Sequence, residues 1–170
     1  NGDLSSWDVS NVIDMSRIFL GAYSFNGDLS GWDVSSVTNM NSMLWNATSF
    51  NGDLSSWDVS SVTNMNGMFY FAISFNGDLS SWDVSNVMNM SLMFDNAETL
   101  GSENQCAIQT SFSINPNWPY DWVCLIYGCM DSMAMNYDSS ATIDDAMCEY
   151  LYGCMDSMAM NYDSSATIDD

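Results

Sequence analysis

The stretch Asn51-Gly52-Asp53-Leu54-Ser55-Ser56-Trp57-Asp58-Val59-Ser60-Ser61-Val62-Thr63-Asn64-Met65-Asn66-Gly67-Met68-Phe69-Tyr70-Phe71-Ala72-Ile73-Ser74-Phe75 decides the fold, because it is one of four copies of a single 25-residue unit. The others span residues 1–25, 26–50 and 76–100. Each opens Asn-Gly-Asp-Leu, continues Ser-(Ser/Gly)-Trp-Asp-Val-Ser and closes Ala-x-x-(Phe/Leu). A fixed period of this length marks a solenoid, in which each unit buries its apolar face only by stacking on its neighbours. Such stacks build long ordered surfaces, and seldom one enclosed catalytic pocket.

The opening spacing of the first copy, Leu4-x-x-Trp7-x-Val9-x-x-Val12, has the rhythm of a leucine-rich repeat. Trp7 and Val9 alternate with Ser6, Asp8 and Ser10, which predicts a short parallel strand in each unit. From Val12 the apolar spacing changes to three and four (Val12, Met15, Ile18, Phe19), which predicts one or two turns of α- or 3₁₀-helix. Phe25-Asn26-Gly27-Asp28 reads as a turn, with Gly supplying positive φ. Trp7, Trp32, Trp57 and Trp82 take the place of a buried Leu and are expected inside. Trp45 and Phe71 stand where other copies have Leu20 or Tyr70 and Gly21 or Asn96, and are expected as exposed contact aromatics.

In-register stacking places Asp8, Asp33, Asp58 and Asp83 in one file on the strand face, and Asp3, Asp28, Asp53 and Asp78 in a second file in the turns. Neighbouring strands lie about 4.8 Å apart, so these carboxylates repel one another unless something intervenes. Either Ser hydroxyls and backbone amides satisfy each Asp, or cations sit between them. For the turn file an Asx-type bond is expected, and for the strand file a cation or partner is the competing reading.

The string Trp57-Asp58-Val59-Ser60-Ser61-Val62-Thr63-Asn64-Met65, repeated in register through the four copies, resembles the Trp-Asp-Val-Ser, Asn-Met-x-x-Met-Phe units of BspA-like leucine-rich-repeat surface proteins. That resemblance implies an extracellular, surface-attached or secreted protein used in adhesion and interaction. It carries over no catalytic residues. Ile13 and Arg17 depart from the pattern in the first copy.

Charge narrows the function further. One basic residue, Arg17, faces 22 acidic ones with no His, a net charge of −21. Nothing is available to neutralise phosphates, so nucleic acid is excluded as a partner, and an anionic membrane surface is disfavoured. Without His or Lys, most general-base, Schiff-base and phosphate-clamp chemistry is missing. Paired carboxylates remain for glycoside hydrolysis, but the expectation is a protein that is not an enzyme. No apolar run is long enough to insert directly into a membrane. The chain opens at a repeat boundary and stops within a second motif, so it reads as part of a longer protein.

Residues 101–126 break the period and are expected to form the C-terminal cap that covers the last apolar face. Phe112, Trp118 and Trp122 suit that covering role, and Cys106 and Cys124 are expected to form a disulfide closing the loop. A different unit occupies 127–150 and restarts over 151–170. Cys129–Cys148 is its natural bridge, although spacing alone leaves other pairings open. Cys154, 25 residues after Cys129, would find its partner beyond the chain end. Orderly cysteines in an acidic repeat protein point to an oxidising, extracellular setting.

Asp131, Asn136, Asp138, Asp144 and Asp145 place hard oxygens between two cysteines, repeated as Asp156, Asn161, Asp163, Asp169 and Asp170. Ca²⁺ takes about six to eight such ligands, so calcium is the candidate cofactor, against a plain reading in which these residues cap turns. The spacing is not that of an EF-hand. The unit resembles the Gly-Cys-x-Asp-x-x-Ala-x-Asn-Tyr-Asp modules of large secreted proteins, which implies a tandem stalk with no activity of its own. Asn46-Ala47-Thr48 and Asn89-Met90-Ser91 are N-glycosylation sequons.

The combined expectation is an extracellular structural or adhesive surface protein. It has a leucine-rich-repeat-like solenoid over 1–100, a disulfide-held cap over 101–126, and small disulfide-clasped acidic modules at 127–150 and 151–170. Copies are expected to meet end to end through repeat stacking in a filament or surface appendage. The alternative is a carbohydrate- or protein-binding module that reads glycans or surface proteins.

Overall fold

A computed structural model describes residues 2–125, 127–152, 157, 160 and 164–168. The chain forms two compact units, Asn1–Trp122 and Val123–Asp170.

The first unit is built on position 14 of each repeat. Asp14, Asn39, Asn64 and Asn89 form consecutive parallel bridges, each to its equivalent 25 residues on. Beside this rung the backbone bonds all run one way. The N–H groups of Met15, Arg17, Phe19 and Gly21 donate to the carbonyls of Asn39, Asn41, Met43 and Trp45 at 2.9, 3.0, 3.0 and 2.8 Å. Met40, Ser42, Leu44 and Asn46 do the same toward the third copy, and Met65, Gly67, Phe69 and Phe71 toward the fourth. Only the position before the rung answers in the opposite sense on this segment, as in Thr38 N–H to the Ile13 carbonyl at 2.8 Å. The four copies therefore lie side by side in strict register.

This ladder replaces the helix expected from Val12 to Phe19. An α-helix uses each N–H on the carbonyl four residues back, and here those N–H groups are spent on the next copy. The segment is instead a run of tight turns with left-handed residues at two fixed positions: Arg17, Ser42, Gly67 and Leu92 (φ 55 to 61°), then Gly21, Asn46, Phe71 and Asn96 (φ 55 to 67°). For a side chain that geometry costs roughly 1 kcal/mol or more per residue, which the ladder bonds offset. The strand expected at Trp7–Val9 is likewise absent. There Trp7 N–H bonds the Leu4 carbonyl and Val12 N–H the Val9 carbonyl, at 3.1 and 2.8 Å, so the segment is two successive turns.

Between the turns the apolar columns close on themselves. Trp32, Trp57 and Trp82 are buried, each donating its indole N–H to a Leu carbonyl of the preceding copy (Leu4, Leu29 and Leu54) at 3.0, 3.0 and 2.9 Å. Phe25, Phe50 and Phe75 stack with centroids 5.9 and 6.3 Å apart. These rings explain the glycines at the opening of each copy: a Cβ on Gly27, Gly52 or Gly77 would come within 2.9 Å of the Phe two residues earlier. The expected need there was positive φ; the observed need is space. One expected burial fails. Trp7 is 60% exposed, because no described copy lies on its outer side.

The far end of this stack is closed. The helix α1, Ser102–Phe112, buries Ile108 and Phe112, and the aromatic lid Trp118, Tyr120 and Trp122 packs on Phe94. Tyr120 Oη accepts the Phe94 N–H and donates to Asp95 Oδ1, both at 2.8 Å, so it takes up a ladder donor of the last copy. Buried Asn115 donates to the Val84 and Val87 carbonyls at 2.6 and 2.9 Å. Cys106 and Cys124 are disulfide-bonded. The expected head-to-tail stacking of intact chains meets a covered face at this end.

In the second unit a short parallel pair, β1 (Tyr127–Gly128) with β2 (Ile143–Asp144), sits beside a Cys129–Cys148 disulfide. Little else is buried there beyond Gly128, Cys129 and Ala134. The disulfide and side-chain-to-backbone bonds hold the module, with no sizeable core. Cys154 and the second set of acidic positions, Asp156, Asn161, Asp163, Asp169 and Asp170, lie outside the described residues.

Replacing Trp57 by Ala is expected to cost about 3–5 kcal/mol, the usual range for a large buried aromatic. Trp7→Ala, at the open end, is expected to cost less than about 1 kcal/mol. Urea unfolding of the two variants measures both, and equal losses would contradict a stack whose core begins at the second copy.

Candidate functional site

Three surfaces of the first unit carry residues singled out from the sequence. The first is the acidic face. Asp8, Asp33, Asp58 and Asp83 are all exposed, and each uses Oδ1 to accept the backbone N–H of the Ser two residues on, at 3.0 to 3.1 Å. The hydroxyls of Ser10 and Ser35 add bonds of 2.6 Å to the same oxygens. The turn file repeats the device: Asp3, Asp28, Asp53 and Asp78 each accept a Ser N–H at 2.9 Å.

These bonds decide the electrostatics. The Ser60 side chain, then its backbone N–H, holds the Asp58 carboxyl below its ordinary range, against burial and the neighbouring Asp33 and Asp83 charges, which push it up. Ser35 does the same for Asp33 and Ser10 for Asp8; for Asp83 the Ser85 backbone N–H leads. Each carboxylate is thus ionised and locally bonded, leaving Oδ2 toward solvent. Both acidic files stand as rows of turn-bound anions.

The second surface is an aromatic edge. Trp45 is half-buried and lies on Tyr70, with centroids 4.0 Å apart, while Tyr70 meets Phe71 edge-on at 4.8 Å. Gly67 is required beneath it, since a Cβ there would come within 2.7 Å of the Trp45 ring. Phe71 is 39% exposed. The structure therefore brings the two expected contact aromatics to one edge, with Tyr70, which the sequence reading passed over, between them. Asn46 of the first sequon is next to Trp45, half-buried, with its N–H on the Tyr70 carbonyl; Thr48 Oγ1 donates to the Tyr23 carbonyl at 3.1 Å. Asn89 of the second is exposed but is a ladder rung whose Oδ1 accepts the Ser91 N–H at 3.0 Å.

The third surface is the open N-terminal face, where a cavity of about 250 Å³ is walled by Leu4, Trp7, Val12, Ile18, Phe19 and Trp32. Its lining is almost wholly apolar.

In the Cys-clasped module the five candidate calcium ligands are spread over separate turns. Asp131 accepts the Met133 N–H and the Tyr150 hydroxyl at 2.9 and 2.8 Å. Asn136 joins the Met147 carbonyl to the Glu149 N–H. Asp138, Asp144 and Asp145 each accept the N–H two residues on, at 2.8, 3.0 and 2.9 Å. Among the described residues no three His, Cys, Asp or Glu side chains gather as a metal site does.

A file of asparagines completes the picture. Asn26, Asn51 and Asn76 each offer Oδ1 to the backbone N–H 25 residues later, at Asn51, Asn76 and Gly101, at 2.9, 2.8 and 2.8 Å. The constant Asn that opens every copy was the available signal, read from the sequence only as a turn former.

Residues 1–106 match the family described as "Mycoplasma protein of unknown function, DUF285", and the chain belongs to that family. No curated protein and no solved structure matches the chain.

A depressed carboxylate contributes stability that is present above the unfolded value of about 3.9 and lost as pH falls through the lower folded value. Removing the hydroxyls with Ser35→Ala and Ser60→Ala together is therefore expected to lower Tm at pH 7. The gap from the parent chain should close by pH 3, which thermal melts at both pH values measure.

Proposed function

We propose that this chain is part of an extracellular structural and adhesive surface protein of the BspA-like leucine-rich-repeat kind, a short solenoid that serves as a stiff acidic spacer and is not catalytic. The observation that carries the proposal is the unbroken one-way ladder in 25-residue register, with its Trp and Phe columns buried between copies. A stack of this sort holds its ends at a fixed distance, which suits a stalk or a presenting surface. The DUF285 match covers the same residues, and that family is of the surface-repeat type. The disulfides fit an oxidising compartment. The unrelieved negative charge fits a solvated outer surface that repels its neighbours.

A second reading, recognition of a carbohydrate or protein, draws on the aromatic edge. Trp45, Tyr70 and Phe71 offer stacked and edge-on rings beside the Asn46 backbone, and such rings favour the flat apolar face of a sugar or an apolar side chain. Calcium belongs to neither reading as a requirement, because every candidate ligand of the described module already serves a turn.

Proteinase treatment of intact cells displaying the protein is expected to strip the repeat epitope while cytosolic markers survive; a protected epitope would defeat the extracellular reading. Phe71→Ala on a glycan array separates the second reading, which requires binding by the parent chain and its loss in the variant with Tm unchanged. For the acidic module, EDTA is expected to leave the melting temperature unaltered. A rise in Tm on adding millimolar Ca²⁺ would show that the free Oδ2 atoms collect a cation.

A further inference from the structure

The N-terminal face is exposed, apolar and polar in a directional sense, and the direction selects what covers it. In copies two to four the carbonyls equivalent to Asp14, Ser16, Ile18 and Leu20 accept N–H groups from the copy before. In the first copy those four carbonyls point outward as a row of acceptors. The apolar columns end there too: Trp7 is 60%, Ile18 46% and Leu20 50% exposed, whereas their column mates Trp32 and Met43 are 5% and 0%. The indole of each later Trp takes a Leu carbonyl of the preceding copy, so Trp7 brings an indole donor to the same edge.

We propose that this face docks one occupant, the donor end of a further 25-residue unit of the same kind tethered to it as a continuation of the stack, and that it rejects a second copy of the chain. Two N-terminal faces brought together would oppose carbonyl to carbonyl. They would also set Asp3, Asp8 and Asp14 of each copy against the other, with Arg17 the chain's only base. Such like-charge and acceptor-to-acceptor contact disfavours pairing. The C-terminal end of a second copy has the right donors, but Tyr120 holds the Phe94 N–H and α1 with the aromatic lid covers the rest. An open unit has four unspent N–H groups at its positions 15, 17, 19 and 21, in the spacing the acceptors require, and its own Trp and Phe columns continue the buried ones. Tethering matters because ordering a free unit costs roughly 1–2 kcal/mol per residue. A tethered one meets the face at about millimolar effective concentration.

The inference rests on the stacking geometry and is independent of the extracellular reading. The test fuses the sequence of Asn51–Phe75 directly ahead of Asn1 in the full chain, beside a control carrying a shuffled unit of the same composition. The native-order fusion is expected to raise Tm and to shield Trp7 from acrylamide, with the Trp7 signal isolated by subtracting the corresponding Trp7→Phe protein. The shuffled fusion should do neither. No gain in Tm and unchanged quenching in the native-order fusion would overturn the proposal. So would sedimentation showing the unfused chain to be a dimer in which Trp7 is shielded.

Discussion

Everything in the first unit depends on a backbone ladder in which N–H groups of one copy meet carbonyls of the next and almost none return. Because both partners sit at the same position of the unit, a shift by one residue would break four bonds and misalign every apolar column. Each bond is worth only about 0.5–1.5 kcal/mol net. Their value lies in register, since they bring Trp to Trp and Phe to Phe at each junction. The indole-to-Leu bond and the Asn26, Asn51 and Asn76 file tie the outer turns to the same spacing. Left-handed backbone at two positions per copy is the cost of directing these donors outward from a tight turn.

A one-way ladder has two unlike ends, and the protein treats them differently. The donor end is finished by a dedicated segment. Tyr120 accepts the Phe94 N–H, Asn115 reaches the Val84 and Val87 carbonyls, and the aromatic lid covers Phe94 itself. Burial pushes the Tyr120 phenol well above its ordinary range, so it stays protonated and keeps donating to Asp95 while it accepts. The acceptor end carries only exposed apolar side chains and outward carbonyls. Polarity thus makes the stack extensible from one side alone.

The acidic surface follows from the same turns. An Asp that accepts the N–H two residues on shapes the bend and becomes a better anion as it does so, which is how eight of them stand in two files with no basic residue between them. In the Cys-clasped module the same Asx device serves without a stack, and a disulfide supplies the constraint that neighbouring copies supply elsewhere.

The sequence by itself determined the period, the copies that pack together, the interior identity of Trp32, Trp57 and Trp82, the place of the cap, and the Cys129–Cys148 pair. These follow from which side chains recur at which spacing, and recurrence is visible in one dimension. Only the tertiary structure decided that the Trp-Asp-Val segment is turned and not a strand, that Val12–Phe19 is no helix, and that Trp7 is exposed. It also decided that the Asn-Gly glycines make room for a Phe ring. In each case the deciding partner lies 25 residues away or on a neighbouring copy. A backbone N–H looks the same in a sequence whether it bonds within its own turn or across to the next unit.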